Sequence, residues 1–266
     1  MGRMMASGAV PNRVEVVSIA EARERDGLRM VSLPGVPSPW TEAAKGIFRV
    51  KGIDYVLAQR GEDEPQDAAA QWVGNVGVPA VVYNDERVRI GWAEILLLAE
   101  RLAPAPALLP ADPEQRALAL GLSHEVCGEL GLGWSQRLVM IGVSLGLRDG
   151  EGFPRQIGEY LAPRYGWQDG FDEIGKARVL DILGMFSRRL DGHEYLMEDR
   201  LTAVDIYLAT FVNLLRPLPP EQLPMVEMIR TAYTSTDPDI MAACDERIRA
   251  HQERIYERHL ELPVRL

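Results

Sequence analysis

Ser38-Pro39-Trp40-Thr41 sets a hydroxyl beside a proline where a short apolar run gives way to a helical pattern, and Pro34 and Pro37 frame it from the other side. The first turn of a helix leaves N–H groups unpaired and carries a partial positive charge. Such a place stabilises an anion, a thiolate included, and a hydroxyl there can donate a hydrogen bond to anionic sulfur. The same hydroxyl suits an N-cap, with Pro39 in the favoured first helical position. Ser38 is therefore a cap, a reactive-site residue, or both.

Gly77-Val78-Pro79 precedes the apolar run PAVVY. A proline opening a strand is an edge-strand residue, or a cis proline whose neighbouring N–H and C=O are free to pair with an extended ligand. Leu201-Thr202-Ala203-Val204-Asp205-Ile206 has the spacing of a capping box, with Asp205 where Glu or Gln is usual. The apolar residues after it suit a buried helix, so this motif concerns folding and not chemistry.

Other chemistries find little support. The two cysteines, Cys127 and Cys244, are far apart, and His124, His193, His251 and His259 are scattered, so no metal site or disulfide framework is expected. The 266 residues carry 29 basic and 39 acidic side chains, a net charge of −10 with no basic run. Nucleic acid is a poor partner for such a surface. VEVVSI, residues 14–19, is too short for a signal peptide and runs into EARERD. LVMIGVSLGL, 138–147, falls short of the ~20 residues that span a bilayer. The expectation is no membrane and a cytoplasmic location.

These motifs need elements to hold them. Residues 1–28 read as a loosely ordered leader. RMVSL (29–33) reads as a strand, 39–51 as a helix stopped by Gly52, and IDYVLA (53–58) as a second strand. A short helical stretch follows, then PAVVY (79–83) and RVRI (87–90) as a hairpin across Asn84-Asp85-Glu86, then the helix AEILLLAERL (93–102). APAPALLPA, 103–111, is a stiff proline-rich linker. Asp112-Pro113-Glu114-Gln115 opens a helix, and helical patterns fill 113–130, 134–147, 154–163, 172–190, 203–216, 222–234 and 238–260. The expected organisation is an α/β domain over 29–102, the linker, and an all-α domain over 112–266.

The order β-α-β-(α)-β-β-α, Ser-Pro at the first helix, Val-Pro before the third strand, the Pro-rich linker and the helical Thr-x-x-Asp together resemble the glutathione S-transferase superfamily, in a bacterial, Ser-type form. The likeness covers about residues 29–260. It is carried by SPWTEAAKGIFRVKGIDY (38–55) and HEYLMEDRLTAVDIYLATF (193–211). It implies a thioredoxin-like domain that binds glutathione as co-substrate, and a helical domain that walls an apolar pocket. By resemblance Ser38 acts on the glutathione sulfur, and Val78, beside a cis Pro79, pairs its backbone with the cysteinyl part. A serine at this place excludes thiol–disulfide exchange through the residue. Trp40, His124 and Trp134 are candidate pocket residues, as are Cys127 and Met140. The second substrate would be an electrophilic small molecule, and the assembly a homodimer.

One departure bears on glutathione itself. Where the resembling family carries an acidic residue followed by serine to hold the γ-glutamyl end, this chain has Gly91 and Trp92. Losing a charge-assisted hydrogen bond costs about 1.5–3 kcal/mol, roughly tenfold to a hundredfold or more in affinity. Two alternatives therefore stand beside the transferase reading. One is a non-catalytic binding or interaction protein on this fold. The other is an enzyme on this fold that takes a different ligand.

Overall fold

A computed structural model describes residues 12–74, 77–197 and 199–266. They divide into two compact units. One runs to Pro34 and resumes over Ala44–Ala107; the other comprises Gly35–Ala43 and Leu108–Leu266.

The first unit is built on β1 (Val14–Ser18), α1 (Ile19–Arg23), β2 (Leu28–Val31), the later turns of α2 (Pro39–Val50), β3 (Tyr55–Gln59), α3 (Ala68–Val73), β4 (Ala80–Tyr83) and α4 (Trp92–Leu102). The sheet order is β1-β3-β2-β4. β1 and β2 both run parallel to β3, and β4 runs antiparallel to β2. Leu57 stands opposite Val16 on one side and Met30 on the other, and Met30 also faces Val81. Every residue of β2 is buried, as an inner strand covered on both faces must be. One face packs Val31, Ala58, Ala80 and Val82 against Ile19 and Ala22 of α1 and Val73 of α3. Strand alternation sends Met30, Leu57 and Val81 to the other face, where Tyr55 meets the Phe48 ring of α2 at 5.2 Å.

Two expectations are corrected here. Residues 14–28, read as leader, supply a strand, a helix and the start of β2, while residues 1–11 lie outside the described residues. VEVVS lacks the apolar density of a core strand, but as an outer strand it needs only one partner. Glu64 completes the arrangement by accepting the N–H groups of Ala20 at 2.6 Å, Ile19 at 3.2 Å and Gly61 at 2.6 Å. RVRI forms only the single bridge Arg89–Val81 instead of a full strand. Arg89 turns its guanidinium to Glu86 at 2.5 Å.

α2 ends as its sequence predicts. Gly52 takes φ 62°; its N–H bonds Arg49 O at 3.0 Å, and Ile53 N–H bonds Phe48 O at 2.9 Å. The buried Lys51 ammonium then ties Glu100 of α4 at 2.6 Å and the Pro106 carbonyl at 2.8 Å.

The second unit contains α5 (Pro113–Cys127), α6 (Leu132–Ser144), α7 (Arg155–Leu161), α8 (Phe171–Arg189), α9 (Ala203–Phe211), α10 (Glu227–Tyr233), α11 (Pro238–Ala243) and α12 (Glu246–His259). Asp112 caps α5 through Gln115 N–H at 2.9 Å. The helix expected over 238–260 is two, because Asp245 accepts Ile248 N–H at 3.1 Å and starts α12 afresh. That expected over 222–234 is confined to α10. α6 and α8 approach closely: a Cβ at Gly175 would lie 2.6 Å from Ser135 O, and one at Gly142 2.7 Å from Asp172 Cβ. Hence both positions are glycine.

All nine residues of α9 are buried. Asp205 accepts Thr202 N–H and Oγ1–H, each at 2.8 Å, and Leu196 N–H at 2.8 Å. Its Oδ1 also lies 3.0 Å from His251 Nε2 of α12, and both side chains are wholly buried. Among the described residues, no helix is long and apolar enough to cross a membrane. Nor does any group of three or more His, Cys, Asp or Glu side chains among them have the arrangement to hold a metal ion.

Candidate functional site

The chain leaves the carboxyl end of β2 and reaches Ser38 through Pro34, Gly35, Val36 and Pro37. In open α/β sheets this end of the strands is where ligands bind. Glu42 N–H bonds Ser38 O at 2.9 Å, the first helical bond of α2, so Ser38 occupies the N-cap position with Pro39 as the first helical residue. Ser38 is 9% exposed. The flanking residues anchor it within the second unit. Val36 packs against a buried cluster of Met140, Leu214, Ile229, Ala232 and Tyr233. Trp40 donates its indole N–H to Cys127 O at 3.0 Å and meets the Phe211 ring edge-on at 4.8 Å. Gly133 makes this possible, since a Cβ there would lie 2.4 Å from Phe211 and 3.1 Å from Trp40. Thr41 is buried three residues past Ser38, and among the described residues its hydroxyl has no hydrogen-bond partner.

α6 also carries a charge in the interior, beside Met140 and Tyr233 of that cluster. Arg137 is 7% exposed. Its guanidinium donates to the Tyr233 hydroxyl at 2.8 Å and to Tyr165, and lies 3.9 Å from Met140 Sδ. Among the described residues its Nε–H has no hydrogen-bond partner. Trp134 stacks edge-on against Tyr165 at 4.9 Å, and Phe153 against Tyr233 at 6.2 Å.

Four of the expected residues, Val78, Pro79, Gly91 and Trp92, lie in the first unit. The Val78–Pro79 peptide is cis. Val78 is half-buried against the α1–α3 face of the sheet, and Pro79 is buried. Because Val81 pairs with Arg89, continuing the antiparallel register sets Pro79 opposite Gly91. The Val-Pro turn and the start of α4 thus share one end of the hairpin. Gly91 is the N-cap of α4 and Trp92 its first, half-buried residue. Glu94 reaches back to Gly91 N–H at 3.3 Å and pairs with Arg87 at 2.7 Å. The bond from Arg87 holds the Glu94 carboxyl below its ordinary range.

Of the other candidates, Trp134 is half-buried, Met140 is buried and His124 is exposed in the last turn of α5. Cys127 is buried, and burial pushes its thiol pKa well up, so it is a poor nucleophile. Arg137, Tyr165 and Tyr233 were not singled out by sequence, and Thr41 was named only as part of the motif that begins at Ser38. Arg137 sits in the apolar run WSQRLVMIGV, and a charge inside such a run is the signal that could have found it.

Residues 155–233 match the family model for the glutathione S-transferase C-terminal domain. By sequence, no curated protein matches the chain. Among solved structures, a glutathione transferase family member from Pseudomonas fluorescens Pf-5, with two glutathiones bound, aligns with a TM-score of 0.61 at 12% identity, over 91% of this chain and 98% of that one. A glutathione S-transferase from Methylobacterium radiotolerans in complex with glutathione sulfonate gives 0.57 at 17%, over 86% and 90%. A rice transferase in complex with glutathione gives 0.56 at 17%, over 90% and 94%.

Proposed function

We propose that this chain, whose fold of a thioredoxin-like domain followed by a helical one is that of solved glutathione transferases, activates glutathione as a thiol nucleophile. The observation that carries this reading is the placement of Ser38, a buried residue at the N-cap of α2, followed by Pro39 as the first helical residue. Similar structures hold glutathione or its sulfonate.

In the proposed reaction the glutathione thiol gives its proton to solvent. The thiolate is held by the Ser38 hydroxyl and favoured by the positive end of α2. Favouring the thiolate lowers the thiol pKa from its usual ~8.5 toward neutrality. The thiolate then attacks the electrophilic carbon of an apolar substrate; the carbon–sulfur bond forms as the leaving group departs or a π bond opens. The Val78 backbone pairs with the cysteinyl part of the tripeptide beside Pro79, and Trp40 and Trp134, with His124 at the margin, line the apolar side. Gly91 and Trp92 receive the γ-glutamyl end through backbone groups alone. The protein works as a homodimer in the cytoplasm.

The Glu94–Gly91 cap favours a second reading, a binding protein on this fold that has given up glutathione. One measurement separates the two. A ligand of the native state raises the melting temperature, so ~10 mM glutathione should shift it upward; no shift would sink the transferase reading. Given a shift, Ser38→Ala should lower kcat/KM with a generic aryl halide by tenfold or more. An unchanged rate would leave Ser38 a cap only.

A further inference from the structure

Arg137 is a buried cation with no carboxylate beside it among the described residues. Its partners are neutral: two tyrosyl hydroxyls, a thioether and the face of the Tyr233 ring, whose centroid lies 5.0 Å from the guanidinium carbon. Burying a charge is costly unless an opposite charge or a full set of hydrogen bonds compensates it, and here even Nε–H goes unmet. Arginine does not escape by losing its proton. The surroundings are equally particular. Trp134, Tyr165, Phe153, Val36 and Met225 are only half-buried and form an apolar rim, and Tyr233, which binds the guanidinium, belongs to the cluster on which Val36 packs. Val36 and Trp40 bracket Ser38, and both dock on α6 or residues packed with it.

We propose that Arg137 is the anchor for a carboxylate on the second substrate, an apolar or aromatic acid whose body lies along the rim while its carboxylate replaces the tyrosyl hydroxyls on the guanidinium. This rests on the thiolate reading above for the identity of the other reactant. The planar fork of arginine matches a carboxylate through two parallel hydrogen bonds. One cation balances one carboxylate; a phosphate dianion would leave a net negative charge among aromatic rings. Arg137 is thus a specificity-determining residue, not a participant in the sulfur chemistry.

The test is calorimetric titration of the full chain, without glutathione, with 4-phenylbutyrate and with its neutral twin 4-phenylbutyramide. The wild type should bind the acid about ten- to a hundredfold tighter. Arg137→Met should bind both alike. Arg137→Lys, which keeps the charge and loses the fork, should lose most of the preference, and it guards against a Met variant that fails to fold. Equal binding of acid and amide by the wild type would overturn the proposal, as would a preference that survives in the Lys variant undiminished. Repeating the titration with ~10 mM glutathione identifies the source of the carboxylate. Undiminished affinity for the acid supports a second-substrate site; direct competition assigns Arg137 to a carboxylate of the tripeptide and overturns it. If glutathione produces no melting shift yet the Arg137-dependent preference is present, the thiolate reading falls and the carboxylate site stands.

Discussion

The carboxylate of Glu94 accepts the backbone N–H of Gly91 at 3.3 Å. The free N-terminus of α4 is therefore partly satisfied from within its own first turn. Removing it should loosen α4: Glu94→Ala is expected to cost about 0.5–1 kcal/mol at pH 7. Arg87 and then the Gly91 N–H hold the folded carboxyl below its ordinary value of 4.5. The contribution is thus full above the unfolded value and lost as pH falls through the folded one. Urea denaturation of wild type and variant should show a gap at pH 7 that closes in acid; a gap unchanged at pH 3 would contradict the ionic origin.

Gly91 has φ −83°, a value any residue adopts, and a Cβ there would touch only the flexible Glu94 side chain, at 3.3 Å. Installing the acid and hydroxyl that the proposed γ-glutamyl berth lacks should therefore be tolerated. Gly91→Glu with Trp92→Ser is expected to tighten glutathione binding by tenfold or more. Titration calorimetry reads this directly, and a weaker complex would place the γ-glutamyl end elsewhere.

Asp205 gathers four contacts in a fully buried place: Thr202 twice, Leu196 and His251. Asparagine has the same shape but must turn an NH₂ toward donors. Asp205→Asn should destabilise the chain by about 3–5 kcal/mol, whereas Thr202→Ala, which keeps the backbone bond, should cost about 1–2 kcal/mol. Comparable losses in chemical denaturation would show that the carboxylate matters only as the partner of Thr202.

Much of this architecture was legible in the residues. Asp112-Pro113, Gly52 and Thr202-x-x-Asp205 mark helix ends through local bonding rules, and each forms as its spacing requires. Val14–Ser18 was missed because among the described residues this outer strand has only one neighbour, β3, 41 residues away in sequence, and its own five residues do not show that partner. The break at Asp245 was missed because α11 and α12 read as one amphipathic run; the carboxylate turns to Ser187 Oγ at 2.5 Å and to Ile248 N–H instead. For the candidate site, Ser38, Pro79 and Gly91 carry local signatures of turn and cap. Arg137 shows in the sequence only as a charge within an apolar run; its partners, the tyrosines at 165 and 233, are brought to it only by folding.

The N-terminal strand has one further consequence. Among the described residues β1 is the edge strand, paired beside β3, and its Glu15, held by Arg25 at 2.8 Å, sets charge along that edge. Charged rims of this kind discourage stray chains from joining a sheet. Trimming the chain back to the glycine at 27 would uncover YVLAQ, a ribbon with strong appetite for intermolecular pairing. The segment that looks dispensable in the sequence is thus a guard against self-association, and any shortened version of the protein is expected to trade away solubility before it loses its helices.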